Sequence, residues 1–161
     1  VAGATCALAG PGGRREVPVE EICTGPGQTI LTDGEFIVSI LLPARGSRSG
    51  DAYLRFIPRT EMDIAVVGVG VSLSLGPDGQ CSAARVAVGA VAPTALLVPA
   101  AAEALVGGVV DDAAIDAMAA AVRAVCRPIN DKRGTVAYRI EVAGVLAGRA
   151  CRIALERAGS A

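Results

Sequence analysis

The chain has 161 residues and a formal net charge of -1, with 15 basic side chains, 16 acidic ones and no histidine. This length suits one domain or two small ones. The basic residues are scattered rather than massed against phosphates, and the longest apolar stretches, such as residues 64–75, are broken by Gly and Ser well short of the roughly 20 residues a membrane helix needs. The few aromatics, Phe36, Phe56, Tyr53 and Tyr138, leave little for stacking on bases or sugars. The missing histidine removes the Ser-His-Asp and Cys-His nucleophile systems and histidine metal sites.

The start Val1-Ala2-Gly3 carries neither an initiator Met nor a signal-peptide pattern, and reads as a fragment. Residues 7–19 read as a hairpin turning at Pro11-Gly12-Gly13, and residues 20–32 as loop. Residues 35–42 are a run of strand formers stopped by Pro43, apolar enough to be covered on both faces, and so expected as an interior strand. The polar stretch 44–51 reads as a domain border. After it come a strand at 53–57 and a longer one at 64–75, where Val67, Val69, Val71, Leu73 and Leu75 alternate with Gly and Ser at a period of two. A turn at 76–80 and a returning strand at 81–91 complete an antiparallel meander.

Two helices are expected next, an Ala- and Leu-rich one over 95–106 and one capped by Asp111 or Asp112 that carries Ile115, Met118, Ala119, Val122 and Val125. Residues 135–158 then predict a long helix with two faces. Val142, Leu146 and Ile153 form a bulky stripe. Ala143, Ala147, Ala150, Cys151 and Ala154 form a small one that would admit another backbone.

Cys6, Cys23, Cys81, Cys126 and Cys151 are odd in number, widely spaced and without the close pair that zinc or iron–sulfur sites draw on. They read as buried structural thiols in a reducing cytoplasm. The glycine clusters Pro11-Gly12-Gly13, Gly25-Pro26-Gly27 and Gly68-Val69-Gly70 complete no phosphate-loop or dinucleotide pattern and read as turns and packing. The charged set Arg55, Arg59, Glu61 and Asp63 lies just past the border, where clefts form, but an exposed ion-pair network is its simpler account. A small independent enzyme using Arg55, Asp63 and Glu61 as acid, base and anchor lacks a His and a convergent pocket signature.

Several segments follow one another in a recognisable order: Gly25-Pro26-Gly27-Gln28-Thr29, Gly34-Glu35-Phe36-Ile37, Ile40-Leu41-Leu42-Pro43, Tyr53-Leu54-Arg55-Phe56 and Arg59-Thr60-Glu61-Met62-Asp63-Ile64-Ala65. Gly89-Ala90-Val91-Ala92-Pro93-Thr94 and Asp131-Lys132-Arg133-Gly134-Thr135-Val136-Ala137-Tyr138-Arg139 continue the series. Together they resemble, over essentially the whole chain, the flavoprotein subunit of molybdenum hydroxylases. This is the medium, FAD-binding subunit of the carbon monoxide dehydrogenase and xanthine dehydrogenase family.

The resemblance implies an α+β fold. Residues 1–49 would form the end of a PCMH-type FAD-binding domain. Residues 50–161 would form a CO dehydrogenase flavoprotein C-terminal-like domain, a three-stranded antiparallel sheet packed with helices. It also implies electron transfer: substrate is hydroxylated at a molybdenum cofactor on a large partner subunit, and electrons pass through 2Fe-2S clusters on a small partner subunit to FAD and on to an acceptor.

By the same resemblance four residues are cofactor-binding candidates. Val38 takes the apolar flavin-touching position before the proline, Arg55 stands where the family usually has a flavin-contacting lysine, and Ile64, in Asp63-Ile64-Ala65, matches the residue beside the isoalloxazine edge, with Asp63 the fourth candidate. Arg55 departs from the family because a forked guanidinium is not a compact ammonium, although either cation favours electron uptake by the flavin. The family's two glycine-rich loops that cradle the FAD diphosphate are not among the matched segments, so this chain alone is expected not to hold FAD. The alternative is an interaction or scaffold domain that has kept the fold without the cofactor.

Overall fold

The structure, a computed structural model, describes residues 1–60 and 62–159. The chain folds as two units, Ala2–Arg45 and Gly46–Ala161, the second including Val1.

In the smaller unit β1 (Thr5–Gly10) and β2 (Gly13–Pro18) form an antiparallel hairpin. The two-residue connection Pro11-Gly12 leads into Gly13 at φ 109°, a backbone conformation that glycine adopts without a Cβ penalty. Cys6 and Leu8 of β1 point the same way and are buried with Ile22, while Val17, Ile30 and Leu31 pack around them. Residues 20–32 are not wholly loop. A 3-10 turn Val19–Glu21 precedes two short paired strands, β3 (Cys23–Gly25) and β4 (Gln28–Thr29).

The strand expected at 35–42 is present as β5 (Phe36–Leu41), but it is not interior. The sheet order is β2-β1-β5, so β5 pairs with β1 alone, and every one of its residues is exposed in this chain. Its start is fixed by a forked ion pair, with Arg15 Nε and Nη2 each 2.8 Å from one oxygen of Glu35.

In the larger unit β6 (Ser49–Phe56), β7 (Val67–Leu75) and β8 (Cys81–Gly89) form the expected antiparallel meander. A fourth strand of two residues, β9 (Leu96–Leu97), pairs with β8. The period-two pattern of β7 puts Val69, Val71 and Leu73 into the core at no more than 1% exposure, and each such Val stabilises the fold by about 1.5 kcal/mol. The 76–80 turn closes with Gly76 N donating to Gln80 O at 2.8 Å and Gly79 at φ 80°.

The helix expected over 95–106 is shorter than its composition implies. Leu96 and Leu97 join the sheet, Pro99 starts α1 (Pro99–Glu103) at its first turn, and Gly107 at φ 86° turns the chain away soon after. α2 (Asp112–Val125) is capped by Asp111, whose carboxylate accepts Ala114 N at 2.9 Å, and buries Ile115, Met118, Ala119 and Val122.

α3 (Val136–Gly159) presents its small stripe to β6 and β7. Ala143, Ala147, Ala150, Cys151, Ala154 and Ala158 are all fully buried. The approach is closest at Gly50 of β6, where a Cβ would fall on the Ala154 carbonyl oxygen and 2.6 Å from the Ala158 nitrogen. Among the described residues no helix is long and apolar enough to cross a membrane.

Candidate functional site

Residues 57–66 join β6 to β7 and hold three of the charged set picked out in the sequence, two of them described; Glu61 lies outside the described residues. Asp63 is the centre of this segment. Its Oδ1 accepts Arg133 Nε at 3.0 Å and the backbone N–H of Ile64 at 2.8 Å, and its Oδ2 accepts Arg59 Nε at 3.3 Å. The side chain is 6% exposed. The Arg133 hydrogen bond, with smaller help from the Ile64 N–H and Arg59, holds the carboxyl below the usual carboxylate range. Both carboxylate oxygens of Asp63 are thus engaged by donors of the protein itself.

Arg133 is anchored in turn. It sits in the turn closed by the Asp131–Gly134 bridge, and its backbone N–H donates to Asp131 Oδ1 at 2.8 Å. The same oxygen accepts Arg139 Nη2 at 2.6 Å, and this bond leads the causes that lower the Asp131 carboxyl. Arg139, 3% exposed, donates through Nη1 to Val66 O at 2.8 Å and Ala90 O at 3.4 Å. One guanidinium thus ties the start of β7, the residue after β8 and the first turns of α3. Nearby, Asn130 Oδ1 accepts Val136 N at 2.7 Å, and Tyr138 meets Phe56 edge-on at 6.3 Å.

Of the four cofactor candidates, Asp63 and Ile64 are adjacent in this segment. Arg55 is exposed on β6, the strand leading into it, and Val38 is exposed on β5 in the smaller unit. Arg55 borders a shallow groove of about 520 Å³ that Leu54, Phe56, Leu146, Arg149 and Arg152 also line. The Arg59–Asp63 ion pair is exposed on the Arg59 side alone, since Asp63 is covered.

Sequence reasoning missed Arg133 and Arg139 as the partners of this segment. A signal was present, because Arg139 stands four residues before Ala143 and eight before Ala147, on the buried stripe of α3. A guanidinium at such a position requires internal acceptors.

The glycine clusters are occupied by the fold. Gly12 is in the hairpin turn, Gly27 (φ 68°) is in the turn between β3 and β4, and Gly68 and Gly70 lie in β7. A Cβ on Gly68 would stand 2.6 Å from the Tyr53 hydroxyl, and one on Gly70 would stand 3.2 Å from Val1. The five cysteines are free, four buried and Cys23 exposed. Burial, then the nearby Cys81, pushes the Cys151 thiol up to about 11. Among the described residues no three His, Cys, Asp or Glu side chains are grouped to hold a metal.

In the larger unit Ile64 (65% exposed) offers apolar surface to a flavin ring and Arg55 a cation; in the smaller unit, taken by itself, Val38 (45%) offers apolar surface. None of the glycine clusters forms a cradle for a diphosphate.

The fold is that of an antiparallel α+β flavoprotein domain. Residues 52–154 match the CO dehydrogenase flavoprotein C-terminal domain, and the chain belongs to this family, that of the medium, FAD-binding subunits of CO dehydrogenases. It is 35% identical over 150 residues to the carbon monoxide dehydrogenase medium chain of Hydrogenophaga pseudoflava, covering 93% of this chain and 52% of that one.

Over 85 residues it is 34% identical to the xanthine dehydrogenase FAD-binding subunit of Escherichia coli O157:H7, covering 52% of this chain and 29% of that one. A solved carbon monoxide dehydrogenase from Hydrogenophaga pseudoflava, lacking the Mo-pyranopterin moiety of its molybdenum cofactor, superposes with a TM-score of 0.92 at 36% identity. It covers 97% of this chain and 54% of that one. The chain spans about half the length of the curated medium chains it matches.

Proposed function

We propose that this chain is the C-terminal part of the FAD subunit of a molybdenum hydroxylase, acting in the reducing cytoplasm. FAD, when bound, takes electrons from 2Fe-2S clusters and delivers them to an acceptor. The chain's own part is to supply contacts at the flavin edge and surfaces for docking. Residues 1–49 act as the end of the FAD-binding domain and residues 50–161 as the C-terminal domain. The partners are a large subunit with the molybdenum cofactor and a small subunit with the iron–sulfur clusters.

Val38 and Ile64 give the ring apolar contact, Asp63 holds the segment beside it, and Arg55 places positive charge near it, which favours electron uptake. The observation that carries the reading is the likeness to a carbon monoxide dehydrogenase medium chain over 93% of this chain.

The test is an FAD titration, followed by flavin fluorescence and visible absorbance, on this chain and on a form extended by the coding sequence upstream of Val1. Binding by the extended form alone is the expected result. Binding by neither form would leave a scaffold domain that keeps the fold without the cofactor.

A further inference from the structure

The segment that presents Ile64 is not held by apolar burial. Met62 is 95% exposed and Ile64 65% exposed, and Met62 stands at φ 49°, a left-handed conformation unfavourable for a residue with a side chain. Between them Asp63 is covered. What fixes the segment is a relay of charge-assisted hydrogen bonds that begins in the core. Arg139 is seated on Val66 O and Ala90 O and grips Asp131, Asp131 grips the backbone N–H of Arg133, and Arg133 Nε grips Asp63. The Oδ1 that takes Arg133 also takes the Ile64 N–H, so the last link sets the backbone of the exposed apolar residue. Arg59 adds a second contact from the solvent side, Nη2 to Met62 O at 3.4 Å.

We propose that Arg133 and Asp131 are positioning residues that set Ile64 at the flavin edge, with Asp63 acting through the segment's backbone rather than by touching the ring. The inference rests on the flavin reading above and adds to it the means by which the edge contact is held. Two links explain why arginine is used twice. The fork of Arg139 reaches a carboxylate and two carbonyls together, and Arg133 bonds Asp63 through Nε. A lysine at 133 keeps the charge without that directed donor.

The test has two arms. In this chain, amide hydrogen exchange of residues 62–65 is followed in wild type, Arg133→Ala and Arg133→Lys, with the exchange of β7 as the fold control. The expected result is at least tenfold faster exchange in Arg133→Ala, partly restored in Arg133→Lys, with β7 unchanged. In the upstream-extended form, the visible spectrum and midpoint potential of bound FAD are measured for the same variants. Retained FAD with both properties shifted in Arg133→Ala, and partly returned in Arg133→Lys, is expected.

Unchanged exchange at 62–65 overturns the relay. Faster exchange with an unaltered flavin spectrum and potential overturns the positioning of the flavin edge. A wild-type extended form that takes up no FAD overturns the flavin reading instead, and the exchange arm still decides the relay. Should Arg133→Ala fail the β7 control, Arg133→Met replaces it, since it keeps the apolar stem of the side chain while removing both its charge and its N–H donors.

Discussion

Glu35 and Arg139 illustrate how arginine organises single positions in both units. The Arg15 fork first, and the Thr32 backbone N–H next, bring the Glu35 carboxyl down from its ordinary 4.5 to about 2. A folded value below the unfolded one means that the interaction contributes fully above about pH 4.5 and is lost as pH falls through 4.5 towards 2. The Glu35 side-chain carbon resonance is therefore expected to titrate near pH 2, and Glu35→Gln to reduce the acid sensitivity of the smaller unit in that window. Titration of this carbon at the ordinary carboxylate value would contradict the geometry.

For Arg139→Leu, removal of a buried donor takes away the Val66 O bond and one of the donors to Asp131, at a cost of about 2–3 kcal/mol. The urea midpoint of unfolding reads it directly. The Arg15–Glu35 and Arg133–Asp63 pairings were not legible in the sequence: their members are 20 and 70 residues apart, and no periodicity links positions at such separations.

The elements themselves were mostly legible, for reasons that also explain the exceptions. Alternation in β7 reports a strand with two unlike faces, and the i, i+4 stripe of α3 reports a helix with a small-residue side; both patterns are local. Which element fills the small side is not local. It proved to be β6 and β7, with the closest approach at Gly50 of β6.

Gly50→Ala is accordingly expected to cost at least about 3 kcal/mol, because the added methyl meets helix backbone rather than a movable side chain. Thermal unfolding followed by circular dichroism would measure the loss, and a neutral result would refute the close approach. β5 was misread because an unbroken apolar run implies cover on both faces, whereas in this chain the strand lies at a sheet edge. The 95–106 segment was misread because Ala and Leu favour helix, while Pro99 and pairing of Leu96 and Leu97 with β8 divided it.

At the scale of the whole molecule the two units differ in how much apolar surface secures them. The larger is built on a core running from Ala52 to Ala158, and the smaller on Cys6, Leu8 and Ile22 with three partly buried neighbours. Local opening follows buried apolar contact. Amides of β1 and β2 are therefore expected to exchange at least tenfold faster than those of β7 and β8, measured by mass spectrometry of peptides from each. Equal protection would show that something other than these cores stabilises the hairpin. The family and the order of its segments were legible because they lie in consecutive residues.

The turn closed by the Asp131–Gly134 bridge contains Lys132, which is exposed and is the chain's only lysine. Apart from the terminal amine, an acylating dye therefore has one place to attach. That place lies between Asp131 and Arg133, so an emission probe fixed there senses the relay without any engineered cysteine.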